Sequence, residues 1–515
     1  MQKNTTAAFG VVGNWLEIAG QTWAELGKDG KKVSTKEFAV ILATRLSTDV
    51  GVVTGWLQGA EELAKYAQSQ GNRNALDEER ESVTAALRAV RPILEARLQK
   101  RLDVVDEELM PVKCEKCGEL SPSQGRRRRN WSSTVGELEL SRRYNWCEQC
   151  GQGRAVAQQQ VGLPEGDYTA SLEEICALMS TTVPHTMAVA LVGKLLGIEI
   201  SAKAIKGIVQ QRGQEVVTAQ DIDAQVLNPY HKNGLPRDVA RPSDAVAKAP
   251  KVAYLEMDGV IVITREELSK NEAESVVGRG GKGRKYKVEG REVKNAVLYD
   301  GTQCAQESES RNCILEKQYV SHLGDYKHFA LLVWTTILRL RFDEAKLLVV
   351  LSDGSEWIRQ LCAWLPVQVL LILDLFHVKH RIWEVANALY GDKSPEAGLW
   401  ARTQCERVEQ GQAHNVIEVL SFLNPKAATT RQLVDALITY LSNNLDRMDY
   451  PTYRDRGLRV GSGTVESANY HVTGARLKLQ GMRWSENGAA QMARLRADLF
   501  NGYWERRTRQ LLNAA

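Results

Sequence analysis

KLLVVLSDGSEWIRQL, residues 346–361, decides how the rest of the chain is read. Five apolar residues, Leu347 to Leu351, run into Ser352-Asp353-Gly354 and then into helical spacing at Trp357, Ile358 and Leu361. That pattern predicts strand, turn, helix. Open α/β sheets collect ligand groups at the carboxyl ends of their strands, so Asp353 stands where a working carboxylate would stand. An Asp here also suits a helix cap.

Working outward, KVAYLEMDGVIVIT predicts a strand with Asp258 in its middle, and VKNAVLYDG and ILEKQYVSHL predict two more. The amphipathic helix DYKHFALLVWTTILRLRF follows, then the strand ending at Asp353, a helix, and a fifth strand VQVLLILDLF. Three strands, helix, strand, helix, strand is the element order of the RNase H-like fold, in which the first and fourth strands lie parallel and adjacent. Asp258 and Asp353 are therefore expected to meet. A carboxylate in an apolar strand is costly unless it is paired or holds a cation, and two of them repel. Mg²⁺ (or Mn²⁺) is the natural counter-charge. Glu256 shares the Asp258 face by period-2 spacing, as ligand or neighbour. A third carboxylate is expected from Glu466, in the first helical turn after Gly461-Ser462-Gly463-Thr464, with Glu486 as the weaker candidate.

The chain has 515 residues, 25% charged and 43% hydrophobic, with a net charge of +4. That is a globular, multidomain balance, in which any nucleic-acid surface must come from local basic clusters. The run 175–193 is broken by Ser180-Thr181-Thr182 and Pro184-His185, so no membrane span is expected. The start of the chain lacks an export pattern, so a cytoplasmic location is expected.

Residues 1–110 read as a helical region. Two of the nine cysteines' spacings are CxxC, at Cys114/Cys117 and Cys147/Cys150, each pair followed by a glycine. Four thiolates from two tight turns suit tetrahedral Zn²⁺, which predicts a zinc ribbon over 111–160. Arg126, Arg127, Arg128 and Arg129 fall in its loop and suit either phosphate contact or solvent. Residues 165–220 show two helical patterns separated by Gly197–Ser201, with Lys203, Lys206 and Arg212 on the second. This is the layout of a helix-turn-helix DNA-binding domain. Residues 221–250, with four prolines, read as a linker.

The order MDG, SDG, DLFHVKH, then GSGTVES with RLKLQGMRW resembles the bacterial insertion-sequence DDE transposases of the Kra group, relatives of the Mutator-like transposases. The resemblance spans roughly residues 100–505. It implies an α/β multidomain protein whose RNase H-like catalytic core (251–390 and 456–515) is interrupted by an all-helical insertion at 391–455. It implies a catalytic triad of Asp258, Asp353 and Glu466, with Asp374 and His377 as an accessory motif beside the scissile phosphate. Arg476, Lys478 and Arg483 become DNA contacts. The expected partners are double-stranded DNA, as transposon ends and target, and a second copy of the chain or a higher oligomer, with the protein at the nucleoid. Two other readings fit the residues: a zinc-containing DNA-binding regulator, and an RNase H-like nuclease that cuts without joining.

Overall fold

The computed structural model describes residues 17–26, 34–69, 74–268, 286–308 and 311–504. The remaining parts of the expected N-terminal region and C-terminal helices lie outside them. The chain divides into two compact units, 1–208 with 508–515, and 209–507.

After a helical stretch at 17–26, the first unit continues with helices α1 (Thr35–Arg45), α2 (Val50–Gln68) and α3 (Ala75–Glu108). Ser34 and Glu37 form a capping box on α1. α2 packs against α3 through Gly55 and Gly59, where an added Cβ would lie 2.4 Å from Pro92 O and 2.3 Å from Ala89 O. A three-stranded sheet follows: β1 (Ser123–Ser133), β2 (Gly136–Cys147) and β3 (Gln152–Arg154), in that order. β3 covers only the end of one β2 edge. Further along that edge α3 supplies side chains instead: Glu95 and Asp106 accept from the Glu139 and Arg143 N–H groups, and Gln99 bonds both N–H and C=O of Ser141. A helix thus satisfies backbone groups that a neighbouring strand would otherwise take.

The four arginines, expected in a loop, lie in β1 instead, and each has a partner within the chain. Arg126 pairs with Asp103 at 2.5 Å, Arg127 lies 3.6 Å over the Tyr144 ring, Arg128 meets Glu139 at 2.9 Å, and Arg129 meets Asp167 at 3.4 Å. Acids thus partner Arg126, Arg128 and Arg129 and a ring partners Arg127, while Arg126, Arg127 and Arg128 remain exposed.

Residues 165–220 hold three helices rather than two: α4 (Ala170–Thr182), α5 (His185–Leu196) and α6 (Ala202–Val226). Pro184 makes the extra break, because the residue before proline is pushed out of the helical region, and Val183 is extended. Gly197 ends α5 at φ 67°, and Ser201 Oγ accepts from the Ala204 N–H at 3.1 Å.

The second unit is built on a five-stranded sheet of β4 (Val252–Glu267), β5 (Tyr286–Asp300), β6 (Gln318–Leu323), β7 (Leu347–Ser352) and β8 (Val369–Leu373). In space the order is β8-β7-β4-β5-β6. β4, β7 and β8 run parallel to one another, and β5 and β6 are antiparallel additions. β6 starts later than expected, because Ile314 belongs to a short hairpin of Cys304–Ser308 and Arg311–Ile314. Alternation along the strands sorts two cores. Ala253, Leu255 and Met257 face α7 (Tyr326–Leu340) and α8 (Glu356–Trp364). Tyr254, Val349 and Leu351 face α9 (Leu375–Tyr390) and the helices after it. Glu256 and Asp258 share the second face by period 2.

Between α9 and the last part of the sheet unit stand α10 (Pro395–Glu409), α11 (Ala413–Ser421), α12 (Ala428–Ser442) and α13 (Tyr450–Asp455). Then come α14 (Gly463–Ala468), a π-helical turn at Asn469–Gly474, and α15 (Glu486–Phe500). The expected linker is a strap. Its first residues complete α6, the Trp334 indole donates to Leu227 O at 3.0 Å, Tyr230 packs on Trp364 at 5.1 Å, and Arg241 pairs with Asp343 at 2.7 Å. Aromatic and ionic anchors outweigh its loop-like composition.

Candidate functional site

Three carboxylates collect at one end of the parallel strands. Met257 and Ser352 are register partners, so Asp258 and Asp353 are the next residues on adjacent parallel strands, which lie about 4.8 Å apart. Leu373 pairs with Ser352, so Asp374 is the next residue on β8. Each is held by local donors. Asp258 accepts from the Gly259 N–H at 2.7 Å and from Asn469 Nδ2 at 2.6 Å. Asp353 accepts from the N–H and hydroxyl of Ser355, both at 2.9 Å, bracing the start of α8. Burial pushes the Asp258 carboxyl up to about 6; the charge of Asp353 adds to the rise, while Gly259, His377 and Asn469 oppose it.

Asp374 is fully buried and caps α9 by accepting from the Phe376 N–H at 2.6 Å and the His377 N–H at 3.2 Å. Its other oxygen accepts from the N–H and hydroxyl of Ser462. Burial would raise its pKa, but the nearby His377 ring and the hydrogen bonds from Ser462 outweigh it and hold the carboxyl below its usual range. His377 Nδ1 lies 3.3 Å from Asp374 and 3.9 Å from Glu466, is buried, and makes no well-aligned hydrogen bond. Asp374 first, and then the charges of Asp353 and Asp258, raise the His377 pKa against the lowering effect of burial.

Ligand atoms of Asp374, His377 and Glu466 all lie within 4.8 Å of one another. Among the described residues no such group unites Asp258, Asp353 and Glu466. Glu466 thus meets the accessory pair, and the two aspartates stand next to that cluster, each turned toward its own donors.

Glu256 is a neighbour. It is wholly buried, accepts from the Tyr299 hydroxyl at 2.6 Å and the Val465 N–H at 2.9 Å, and so pins the turn that carries Glu466. Glu486 lies elsewhere. It is exposed and 3.8 Å from Arg291, which pairs with Val262, four residues and roughly 13 Å along β4 from Asp258. The loop before Glu466 borders a cavity of about 690 Å³ lined by Asp374, Phe376, Arg454, Arg459 and Glu466.

Of the expected DNA contacts, Arg476 is corrected. It is 1% exposed, donates to the Met482 sulfur at 3.2 Å and lies 4.8 Å over the Trp484 ring, which makes it an interior packing group. Lys478, Arg483, Lys203 and Lys206 are exposed. Arg212 is paired with Glu215 at 3.1 Å, and the later part of α6 is packed, with Asp221 2.7 Å from Arg494.

In the first unit the thiols of Cys114, Cys117, Cys147 and Cys150 lie within 4.8 Å of one another, and none is in a disulfide. Gly118 and Gly151, at φ 77° and 61°, let the chain turn around them. The N–H groups of Cys117 and Lys116 pull the Cys114 thiol down to about 6, while hydrogen bonding among the crowded thiols pushes Cys150 up to about 12, so that one thiolate shares its charge with protonated neighbours. No helix of the described residues is long and apolar enough to cross a membrane.

The sheet and its cluster define a mixed α/β protein with an acid–histidine centre at the carboxyl ends of parallel strands. The chain belongs to the uncharacterised protein family UPF0236, whose model matches residues 183–511. That match takes in the sheet unit and the insertion and leaves out the cysteine hairpin. No curated protein matches the chain.

Proposed function

We propose that this protein is a DDE transposase that binds the ends of a mobile DNA element, cleaves them and joins them to target DNA. The observation that carries the reading is the convergence of Asp258, Asp353 and Asp374 on adjacent parallel strands with His377 and with Glu466, which arrives from beyond a helical insertion. The strand order supports an RNase H-like core, and the position of the insertion supports the resemblance to the Kra-group transposases.

The donor set fits a divalent cation such as Mg²⁺ or Mn²⁺, since it offers carboxylate oxygens and an imidazole nitrogen with no aligned partner. Glu466, Asp374 and His377, whose ligand atoms already lie within 4.8 Å of one another, would hold it, with Asp258 and Asp353 at the adjoining strand ends. When bound, such ions activate the attacking oxygen and stabilise the leaving one. The protein's own part is to fix the phosphate and orient the nucleophile. His377, oriented by Asp374, stands beside the scissile phosphate, while Asp374 also caps the start of α9. Water attacks phosphorus and breaks its bond to the 3′ oxygen of the element end. The freed hydroxyl then attacks a target phosphodiester and displaces its 3′ oxygen.

The Cys114–Cys117–Cys147–Cys150 group fits Zn²⁺ and a zinc ribbon. With α5 and α6 read as a helix-turn-helix, it would hold double-stranded element ends at the nucleoid, two protomers to a pair of ends. Asp258→Asn, Asp353→Asn and Glu466→Gln, tested singly, are expected to abolish Mg²⁺-dependent cleavage of end DNA while end binding persists; full cleavage by any of them removes that residue from the mechanism. Joining of a pre-cleaved end separates a transposase from a nuclease. Cleavage by the wild type excludes a pure regulator.

A further inference from the structure

Two tyrosines of the helical insertion end on the strands that carry the acidic site. Tyr440, on α12, donates its hydroxyl to the Asp353 carbonyl at 2.9 Å. Tyr450, at the start of α13 and fully buried, donates to the Leu373 carbonyl at 3.1 Å, one residue before Asp374. Both carbonyls lie where the β7–β8 ladder finishes, since Leu373 and Ser352 form its last pair. A buried carbonyl there needs a partner from outside the sheet.

The Tyr440 contact reaches further. The Arg381 guanidinium lies 4.2 Å from the Tyr440 ring centroid, and Arg381 is one helical turn beyond His377 on the same face of α9. Asn444 donates to the Tyr440 carbonyl at 2.7 Å, which secures the end of α12. Gly354, in the turn after Asp353 at φ 91°, has room for no Cβ, which would lie 2.9 Å from Leu373 and 3.1 Å from the Tyr440 ring. The turn, the tyrosine and the end of β8 are thus in mutual contact.

We propose that the insertion is a brace for the active site, with Tyr440 and Tyr450 as positioning residues. They fix the carboxyl ends of β7 and β8, and through them Asp353 and the Asp374–His377 pair, in the arrangement that binds divalent cation. The proposal rests on the catalytic reading above. Groups that orient ligands from behind commonly govern metal affinity without touching the ion.

The test uses the full chain with Tyr440→Phe, Tyr450→Phe and the double substitution, which remove the hydroxyls and keep the rings. Mn²⁺ binding is followed by electron paramagnetic resonance without DNA, and cleavage of end DNA is titrated with Mg²⁺. In the double variant the half-saturating concentration of each ion should rise about tenfold, with end-DNA affinity unchanged. Phe422→Ala, at a residue of the insertion that is 80% exposed, should leave both titrations unaltered. Unaltered titrations in the double variant of an active enzyme overturn the brace. If the wild type neither binds Mn²⁺ nor cuts DNA, the catalytic reading fails, and hydrogen exchange at 352–356 and 372–377 then judges the brace alone. Faster exchange in the double variant upholds it, and unchanged exchange overturns it.

Discussion

Glu256 illustrates how a residue two positions from a candidate ligand serves another purpose. Its two oxygens accept from different donors, Tyr299 Oη and Val465 N, and burial pushes its pKa above the usual carboxylate range. Glu256→Gln would turn an NH₂ toward one of those donors, leaving it unsatisfied. Denaturant unfolding should show a loss of about 1–3 kcal/mol, and unchanged stability would refute the pinning role. Lys478 and Arg483 are exposed and Arg476 is buried, so the three substitutions to Ala should separate. Replacing either exposed residue should lower the salt slope of DNA binding by about 1, whereas Arg476→Ala should act on stability. Asp258 and Asp353 were legible because a charge in or after an apolar run is conspicuous. The roles of Glu256, Tyr440 and Tyr450 were not, because each depends on a partner dozens to hundreds of residues away.

Among the elements, the apolar strands and the insertion helices follow from periodicity, whereas β1 does not. Its arginines carry no apolar alternation, and what makes it a strand is the array of acids and rings supplied by α3, β2 and the segment after β3. The cysteine hairpin is expected to need its metal. Chelation should expose residues 112–154 to protease and release the buried Trp131 to water, read as a red shift in fluorescence; no change on chelation would mean that the cysteines hold no structural ion. A second cluster joins β6, α6, α7 and α15. His322 is 9% exposed, stacks on His328 at 4.8 Å, and its Nδ1 meets Arg494 at 3.0 Å. Burial, then the charges of Arg494 and His328, hold its pKa at about 3 instead of 6.5, against Asp325 and Asp221. Between those values the unfolded chain binds a proton that the folded one refuses. Its contribution is therefore intact above about pH 6.5 and is lost as pH falls toward 3, by about 2 kcal/mol at pH 5. His322→Gln should flatten stability against pH in that window; an unchanged slope would place the effect elsewhere.

For the whole molecule, the parallel pairing of the first and fourth strands, β4 and β7, and the late arrival of Glu466 are the features that the linear order of elements made legible. The boundary between units was not, because α6 runs across it and the proline-rich strap that follows is fastened to the sheet unit. On the proposed function, a mobile element with two ends calls for two protomers. Mass photometry of the protein with paired end duplexes should show a dimer, and a monomer on each separate duplex would contradict that stoichiometry.

The bond between Glu256 and Val465 spans 209 residues of sequence. A nascent polypeptide still emerging from the ribosome, or a product of an early stop codon upstream of that point, has made both strand aspartates but has nothing to complete their site. On the proposed function, such fragments would lack Glu466 and the turn that carries it, and would therefore be unable to cut DNA.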